Sequence, residues 1–340
     1  MTFQTANIQT PGIIQKDNYL PTFSDNYCPP FLDTLAQLPR SPLTEPKKDD
    51  GIIRLKKRAK SKYFTGRLSL ALIDIKSPLK KYYWNAFYCN HTLVQVENSV
   101  TAKYCNTRIC NNCNRIRTAK MINGYKHPLA ELDDKQFVTL TLPNVKAQGL
   151  SETLSSMQLS LRNIFKKLQL RKVQYGGVRK TEITYNAVRN DYHPHLHIII
   201  NGRENASYIV KEWLARYPGA APYCQDIRPV DDFSMMELFK YSTKVVSTGI
   251  NGTAGIYVRA VDTIIRALYR KRIIQPFGSI RKQVSEDVEE IDKQAYPGIP
   301  EYDCIEWNWQ ESDWMNKYGE LLTGYVPSEA IQRVNIINSG

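Results

Sequence analysis

The chain has no apolar run of about 18 residues, the length that a membrane-spanning helix needs. Its first residues lack the basic and apolar stretches of a secretory signal, so we expect a protein that is not exported. The seven cysteines in 340 residues are too few and too unevenly spaced for a disulfide scaffold. The thiols are therefore predicted to be reduced or to bind metal, in a cytoplasm.

Acidic residues are scarce except near one end of the chain. There are 46 Lys and Arg against 33 Asp and Glu, a formal net charge of +13. Residues 285–340 hold 12 acidic and 3 basic side chains, a balance of −9, so residues 1–284 carry +22. A surplus of this size repels itself and is typical of proteins that bind a polyanion. Nucleic acid is the predicted partner, and a basic surface kept for solubility is the alternative.

The composition divides the chain into four parts. Residues 1–60 are predicted to be a mobile arm that runs into a basic stretch at 54–62, which could clamp phosphates. Residues 61–130 are rich in cysteine and predicted to bind DNA, and residues 131–284 are predicted to hold the chemistry. Residues 285–340 form an acidic tail with three of the five tryptophans, which we expect to be separate and partly ordered.

Strands and helices alternate in the third part. The pattern predicts strands at 137–142, 181–188 and 196–200, and helices at 151–172 and 232–246, the latter with Asp232 or Ser234 as its N-cap. Strands with interposed helices indicate an α+β fold, a sheet with helices packed on it. The first helix would bury one apolar stripe, made of Leu154, Met157, Leu161, Ile164, Phe165 and Leu168.

Histidine is also scarce, yet three of the five histidines stand at positions 193, 195 and 197. Pro194 has no N–H to donate and is predicted to mark the start of a strand. Side chains alternate along a strand, so His195 and His197 would share one face, about 6–7 Å apart at the Cα level. Two imidazoles on one face, opposite an apolar face, favour a metal site over two structural histidines.

A third metal ligand is expected from the preceding strand. The short connection between the two strands suits an antiparallel pair, which would bring Glu182 across from the histidines. The alternative is an ordinary carboxylate on the surface of a strand. Two imidazoles and a carboxylate accept Mg²⁺ or Mn²⁺ where a substrate supplies phosphate oxygens. They also suit non-haem iron, so an iron oxygenase is a second interpretation of the same residues.

The helix predicted at 232–246 places Tyr241 on its polar face, with Glu237 four residues before it and Lys244 three residues after it. A phenol has a pKa near 10 and needs a cation or a metal to become a good nucleophile. Attack on a phosphate would form a phosphotyrosine ester, which Glu237 could resolve by activating a water or a second hydroxyl. The alternative is an ordinary tyrosine on the protein surface.

The cysteines at 110 and 113 have the spacing of a zinc knuckle and lie in a basic stretch. Either Cys105 or Cys89 could complete the tetrahedron, and three buried thiols are the alternative. The cysteines without neighbours are predicted to be packing residues: Cys28, Cys224 and Cys304.

Five stretches, in this order along the chain, resemble the motifs of the plasmid rolling-circle replication initiators of the HUH endonuclease superfamily. The chain is most similar to the branch with one active-site tyrosine and a nearby glutamate. The stretches lie at 105–115, 137–144, 182–197, 237–244 and 270–278, and the resemblance covers about residues 85–285. Asn111 stands where the family has a proline after the second cysteine of its first motif.

The resemblance implies an antiparallel sheet with a metal site, in which His195 and His197 are ligands and Glu182 or His193 adds a third. It implies Tyr241 as the nucleophile that nicks DNA. Glu237 would be the base that terminates the reaction. It also implies origin DNA, single-stranded or in a hairpin, as substrate, with a host helicase and polymerase as partners in a bacterial cytoplasm. A transposase or relaxase with the same chemistry, and a non-enzymatic zinc-containing DNA-binding regulator, are the alternatives.

Overall fold

The computed structural model describes residues 48–96, 99–239, 246–248, 254–283, 294–295 and 305–337. Most of the predicted N-terminal arm lies outside these ranges, and so do Cys28, Tyr241, Lys244 and Cys304. Within the described residues, no helix combines the length and the apolar character needed to cross a membrane.

Helices and strands alternate along the described chain. The helices are α1 (Lys48–Asp74), α2 (Lys80–Phe87), α3 (Asn111–Ala130), α4 (Ala147–Leu170), α5 (Arg203–Arg216), α6 (Asp232–Phe239), α7 (Val258–Leu268) and α8 (Glu329–Gln332), with a 3₁₀ turn at Pro222–Cys224. The strands are β1 (Thr92–Val96), β2 (Ser99–Ala102), β3 (Lys135–Thr141), β4 (Gly176–Asn186), β5 (Asp191–Asn201), β6 (Asp226–Pro229), β7 (Val246–Thr248), β8 (Ala254–Tyr257), β9 (Ile274–Gly278), β10 (Gln294–Ala295), β11 (Ile305–Asn308), β12 (Asp313–Met315) and β13 (Ile336–Ile337).

The largest unit is a sheet of five strands in the order β6-β3-β5-β4-β9, in which every neighbouring pair is antiparallel. We call it the central sheet. A second sheet has the order β10-β2-β1-β11-β12, and a third, smaller sheet has the order β13-β8-β7. The predicted α+β class with an antiparallel central sheet is therefore confirmed.

One face of the central sheet is covered by α4, α5 and α7. The apolar stripe of α4 is buried against the alternate residues of β3, β4 and β5 that point to this side, such as Leu140, Ile183 and Leu196. Each fully buried aliphatic side chain contributes roughly 1.5–3 kcal/mol, so this layer is the main apolar core. The predicted stripe is confirmed from Leu154 to Leu168, although Phe165 is only partly buried, stacked on Phe277.

The opposite face of the central sheet is apolar at one end and polar at the other. Helices α3 and α6 cover the apolar end, where Tyr125 and Phe239 pack on Phe137, Val178 and Ile199. The next residues of β4 and β5 on this face are buried but titratable: Lys180, Glu182, His195 and His197. This change in character along one sheet face defines where a polar site lies.

The C-terminal residues differ from the expected separate tail. Strand β11 pairs with β1 through Thr92 and Leu93, which places residues 305–315 in the same sheet as residues 92–102. Trp314 is fully buried against α1, and its indole Nε1 donates to the carbonyl of Asn90 at 2.9 Å. Because three tryptophans need apolar partners, the acidic composition of this segment is a poor guide to its packing.

The basic stretch at 54–62 is also structured, which corrects the expectation of a mobile arm for residues 48–60. It lies within α1, and Leu55, Arg58, Ala59 and Lys62 are buried at spacings of three and four residues. Arg58 Nη2 donates to Asn90 Oδ1 at 2.7 Å, and Lys62 Nζ donates to the Phe87 carbonyl at 2.5 Å. Two of the cations that were expected to clamp phosphates are therefore structural.

Three predicted boundaries are wrong. Pro194 lies inside β5 rather than at its start. Its nitrogen, which cannot donate, faces the side of β3, and β3 has already ended at Thr141, so no hydrogen bond between the two strands is lost. The N-cap of α6 is Asp231, whose Oδ1 accepts from Ser234 N at 2.7 Å. Helix α6 is described as far as Phe239, and Val246, the predicted last residue of this helix, is the first residue of β7.

Candidate functional site

The pairing of β4 with β5 sets the geometry of the polar end of the central sheet. Glu182 lies directly opposite His195, and Lys180 lies directly opposite His197. The tight connection after Asn186 fixes this register, because the strands pair as far as Asn186 and Asp191. The predicted position of Glu182 across from the histidines is confirmed.

Glu182, His195 and His197 form a compact group of potential metal donors. His195 Nε2 lies 3.9 Å from Glu182 Oε1, and His197 Nε2 lies 3.7 Å from Glu182 Oε2. One donor atom from each of the three residues falls within 4.8 Å of the others, and all three side chains are buried. A metal ion with two nitrogen ligands and one oxygen ligand fits such a set, and open positions would be left for substrate.

His193 stands apart from this group. Its ring stacks on the ring of His195 with centroids 5.2 Å apart, but it is only half-buried and is not among the three converging donors. Of the two candidates for a third ligand, the geometry therefore favours Glu182.

The second nitrogen of each imidazole also has a partner. His195 Nδ1 lies 3.2 Å from the His193 carbonyl oxygen, and His197 Nδ1 lies 3.2 Å from Thr139 Oγ1. A carbonyl only accepts, so this contact favours the tautomer of His195 with its proton on Nδ1, which leaves the lone pair of Nε2 on the side of Glu182. Metal-binding histidines are oriented in the same way by a partner of the other ring nitrogen.

The protonation states match this arrangement. Burial lowers the pKa of His195 and lowers that of His197 to about 4, with the neighbouring imidazole as the next contribution for His197. Burial opposes ionisation of Glu182, but Lys180 and the two imidazoles outweigh it and hold the pKa of this carboxyl below its usual value. Neutral imidazoles beside a carboxylate are the forms that bind a divalent cation.

Lys180 is a component of the site that sequence reasoning missed. Its side chain is fully buried, and Nζ lies 2.7 Å from Glu182 Oε2 and donates to the Glu237 carbonyl oxygen at 2.9 Å. It therefore connects the acidic member of the donor group to the last turn of α6. The available signal was its position two residues before Glu182, which puts both side chains on one face of a strand.

Helix α6 brings Glu237 to the same place. Glu237 is half-buried, and its carbonyl oxygen accepts from Lys180, which lies opposite His197 in the sheet. The helix is anchored by Phe239, which is buried and stacks on Tyr125 with ring centroids 5.9 Å apart. Tyr241 and Lys244 lie outside the described residues, and Tyr241 is two positions beyond Phe239 in the chain.

A second group of donors consists of four cysteines. The sulfurs of Cys89, Cys105, Cys110 and Cys113 lie within 4.8 Å of one another, with Cys113 Sγ 3.5 Å from Cys89 Sγ and 3.6 Å from Cys105 Sγ. Both candidates for completing the tetrahedron are therefore present, which makes a set of four thiols. Cys224 is exposed rather than packed, so that prediction is wrong.

The surroundings of the four sulfurs are those of a thiolate site. Backbone N–H groups point at them: Asn106 N donates to Cys113 Sγ at 3.3 Å and Cys105 N donates to Cys89 Sγ at 3.4 Å. Hydrogen bonds with Cys110 and Cys113 lower the pKa of Cys105, while hydrogen bonds with Cys105 and Cys113 raise the pKa of Cys110. Thiols that share protons in this way can all be ionised only when a cation is bound.

The comparisons with known proteins agree on one family. A family model described as "Replication protein" matches residues 97–215. A curated "Protein rep" of Staphylococcus aureus is 30% identical over 163 residues, which cover 42% of this chain and 70% of the relative. A "Protein rep" of Streptococcus pneumoniae is 24% identical over 266 residues, which cover 67% of this chain and 80% of the relative. No solved structure matches the chain.

The matched range contains β3, β4 and β5, and with them Glu182, His195 and His197. Three of the five strands of the central sheet, together with the donor group, thus lie in the part of the chain that the replication-protein model matches. The chain belongs to this family of replication proteins. The resemblance drawn from the five sequence motifs is confirmed.

Proposed function

We propose that this protein is a rolling-circle replication initiator that nicks and rejoins single-stranded origin DNA. The observation that carries the proposal is the convergence of Glu182, His195 and His197 on one sheet face, beside helix α6, which is described as far as Phe239, two positions before Tyr241 in the chain. A five-stranded antiparallel sheet with the paired histidines on its middle strand supports an HUH-type fold.

The donor group suits Mg²⁺ or Mn²⁺, which His195, His197 and Glu182 would hold. The set fits because neutral imidazoles and a carboxylate already face one another, and the phosphate oxygens of a substrate can supply further hard ligands. When bound, the ion polarises the scissile phosphate and offsets the charge that develops during transfer.

Tyr241 is the proposed nucleophile. Its phenol oxygen attacks the phosphorus, the bond to the 3′ oxygen breaks, and the chain becomes a 5′-phosphotyrosine ester while a 3′ hydroxyl is released. The phenol proton passes to solvent, the leaving 3′ oxygen takes a proton from solvent, and Lys244 favours the phenolate by its charge. The ester conserves the energy of the phosphodiester, so attack by a 3′ hydroxyl can rejoin the strand.

Glu237 is the proposed base that ends the reaction. The contact of Lys180 with both the Glu237 carbonyl and Glu182 supports this role, because it holds this part of α6 next to the donor group. There it can take the proton from a water or from a 3′ hydroxyl that attacks the phosphotyrosine ester. The hydroxyl left after nicking would prime a host polymerase, with a host helicase to separate the strands, in the cytoplasm of a bacterial host.

The four cysteines are proposed to hold a structural Zn²⁺. A set of four thiols with inward-pointing N–H groups fits this ion, which prefers tetrahedral sulfur ligands. The site would fasten the loop before α3 to the end of α2, and residues 61–130 would then present a fixed basic surface to DNA.

The test is a nicking assay on supercoiled DNA of the replicon that encodes the protein, with Mn²⁺ present. We expect an open-circular product and a covalent adduct at its 5′ end, mapped to Tyr241 by peptide mass. Tyr241→Phe should abolish both, whereas Tyr318→Phe, at an exposed tyrosine far along the chain, should leave both unchanged. Nicking by Tyr241→Phe at the wild-type rate would overturn the assignment of the nucleophile. DNA binding without any cleavage would favour a regulator instead.

A further inference from the structure

A basic groove lies between the loop that carries Cys105 and the turn that joins α7 to β9. Arg108 and Arg117 line one wall, Lys271 and Arg272 line the other, and the volume is about 310 Å³. None of the described residues that line the groove is acidic. The three guanidinium groups around so small a space repel one another, and an anionic occupant would relieve this repulsion.

The inner end of the groove lies next to the candidate nuclease site. Phe239, the last residue of α6, lines it there. Ile274 of β9 lines it too, and this residue is paired in register with Lys180, which contacts Glu182. An extended ligand in the groove would therefore approach Phe239 of α6 and the donor group together.

The walls of the groove are held in place before any ligand arrives. The Arg108 guanidinium donates to the carbonyl oxygens of Leu268 and Lys271, which ties the cysteine loop to the opposite wall. Arg117 donates to Asn114 Oδ1 and to the Asn106 carbonyl, both at 2.7 Å. A preformed site spends little of its binding energy on ordering side chains.

We propose that this groove binds the backbone of the single DNA strand that leads to the scissile phosphate. The inference rests on the proposed function and names the surface that holds its substrate. The volume is at the low end of that of small-ligand pockets, so the groove admits one strand rather than a duplex. Arg272 is exposed at the rim and can face a phosphate without a large loss of hydration. Lys271 is half-buried, and its Nζ donates to the exposed Ser155 Oγ at 3.2 Å, a solvent-accessible contact that a phosphate oxygen can replace.

The experiment measures how the full-length protein binds a fluorescent 20-nucleotide single strand, and a duplex of the same sequence, over a range of salt concentrations. The logarithm of the binding constant falls linearly with the logarithm of the salt concentration, and each phosphate contact on a single strand adds about 0.7 to the steepness of this line. The double variant Lys271→Ala/Arg272→Ala should therefore reduce the steepness by about 1.4. That change corresponds to about tenfold weaker binding near 0.15 M salt. Arg162→Ala is the matched control, since it removes one exposed cation from α4, on the far side of the central sheet.

The outcomes separate this inference from the proposed function. Binding by the double variant at the level of Arg162→Ala would overturn the groove, even if the wild-type protein nicks DNA. An equal or greater loss on the duplex would overturn it too, because the residues would then be part of a general basic surface. If the double variant binds the single strand more weakly than the wild type but the wild type never nicks DNA, the proposal for the groove stands and the proposed nuclease activity is wrong. Arg272→Lys should bind like the wild type, and thermal melting would show that each variant is folded.

Discussion

Lys180 Nζ lies 2.7 Å from Glu182 Oε2, and neither side chain reaches solvent. The two residues stand two positions apart on β4, so the strand itself holds them on one face. The same ammonium also donates to the carbonyl of Glu237 at the end of α6. One buried cation thus joins a proposed metal ligand to the helix that precedes the proposed nucleophile.

Lys180→Met should destabilise the protein by about 3–5 kcal/mol, because it leaves the Glu182 carboxylate buried without its ion-pair partner. The measurement is the free energy of unfolding in urea, in the absence of divalent metal. Lys167→Met is the control, since it breaks an ion pair with Glu212 that is half-exposed and should cost no more than about 1 kcal/mol. Adding Glu182→Gln to Lys180→Met should recover part of the loss. A loss no larger than that of the control would contradict the role of Lys180.

Glu182→Gln should weaken Mn²⁺ binding at least about tenfold, because it removes the charged member of the donor group. His193→Ala should have a much smaller effect, since His193 is not among the converging donors. Titration calorimetry on the metal-free protein measures both changes, and His127→Ala, at an exposed histidine, provides the baseline. Equal losses for Glu182→Gln and His193→Ala would show that the geometry does not identify the third ligand.

Cys113→Ser should remove bound zinc and lower the melting temperature, because Cys113 lies close to two of the other three sulfurs and its loss breaks the set of four. The wild-type protein should contain about one zinc ion per chain by elemental analysis. The control is Cys224→Ser, at an exposed cysteine outside the group, which should retain the zinc. Full zinc content in Cys113→Ser would rule out the four-cysteine site.

Trp314→Ala should cost roughly 3–5 kcal/mol of stability, as expected for a large side chain removed from a core. Its indole fills the space between α1 and the second sheet, and its N–H would leave the Asn90 carbonyl without a donor. Chemical denaturation provides the measurement, and Tyr318→Ala, at an exposed aromatic three residues beyond the strand β12, is the comparison. A similar small effect for both would mean that residues 305–337 contribute little to the fold.

Local patterns predicted much of the central sheet and its site. The apolar spacing gave the position of α4, and the short connection after Asn186 placed Glu182 opposite His195. Lys180 was missed because charge in a strand is ordinarily a sign of exposure, whereas here the neighbouring carboxylate makes burial possible. The pairing of Thr92 with Glu306 could not be predicted, since two strands more than 200 residues apart carry no local signal of each other.

The basic stretch shows the same limit. Seen as composition, residues 54–62 are a run of charge, but Leu55 and Ala59 set an apolar stripe on which Arg58 and Lys62 are buried with partners. Long cationic side chains can bury their stems, so charge density alone does not separate a solvated arm from a packed helix.

The pairing of β1 with β11 also dictates an order of assembly during synthesis. The central sheet uses residues 135–278 and can close as soon as β9 has left the ribosome. The apolar face of α1, made long before, must wait for Trp307 and Trp314 to emerge near the end of translation. Until then the nascent chain exposes Leu55 and Leu93, the kind of surface that chaperones bind and proteases probe. A messenger RNA truncated near the end of its coding sequence would therefore yield a chain in which the donor group is formed but the apolar face of α1 is exposed.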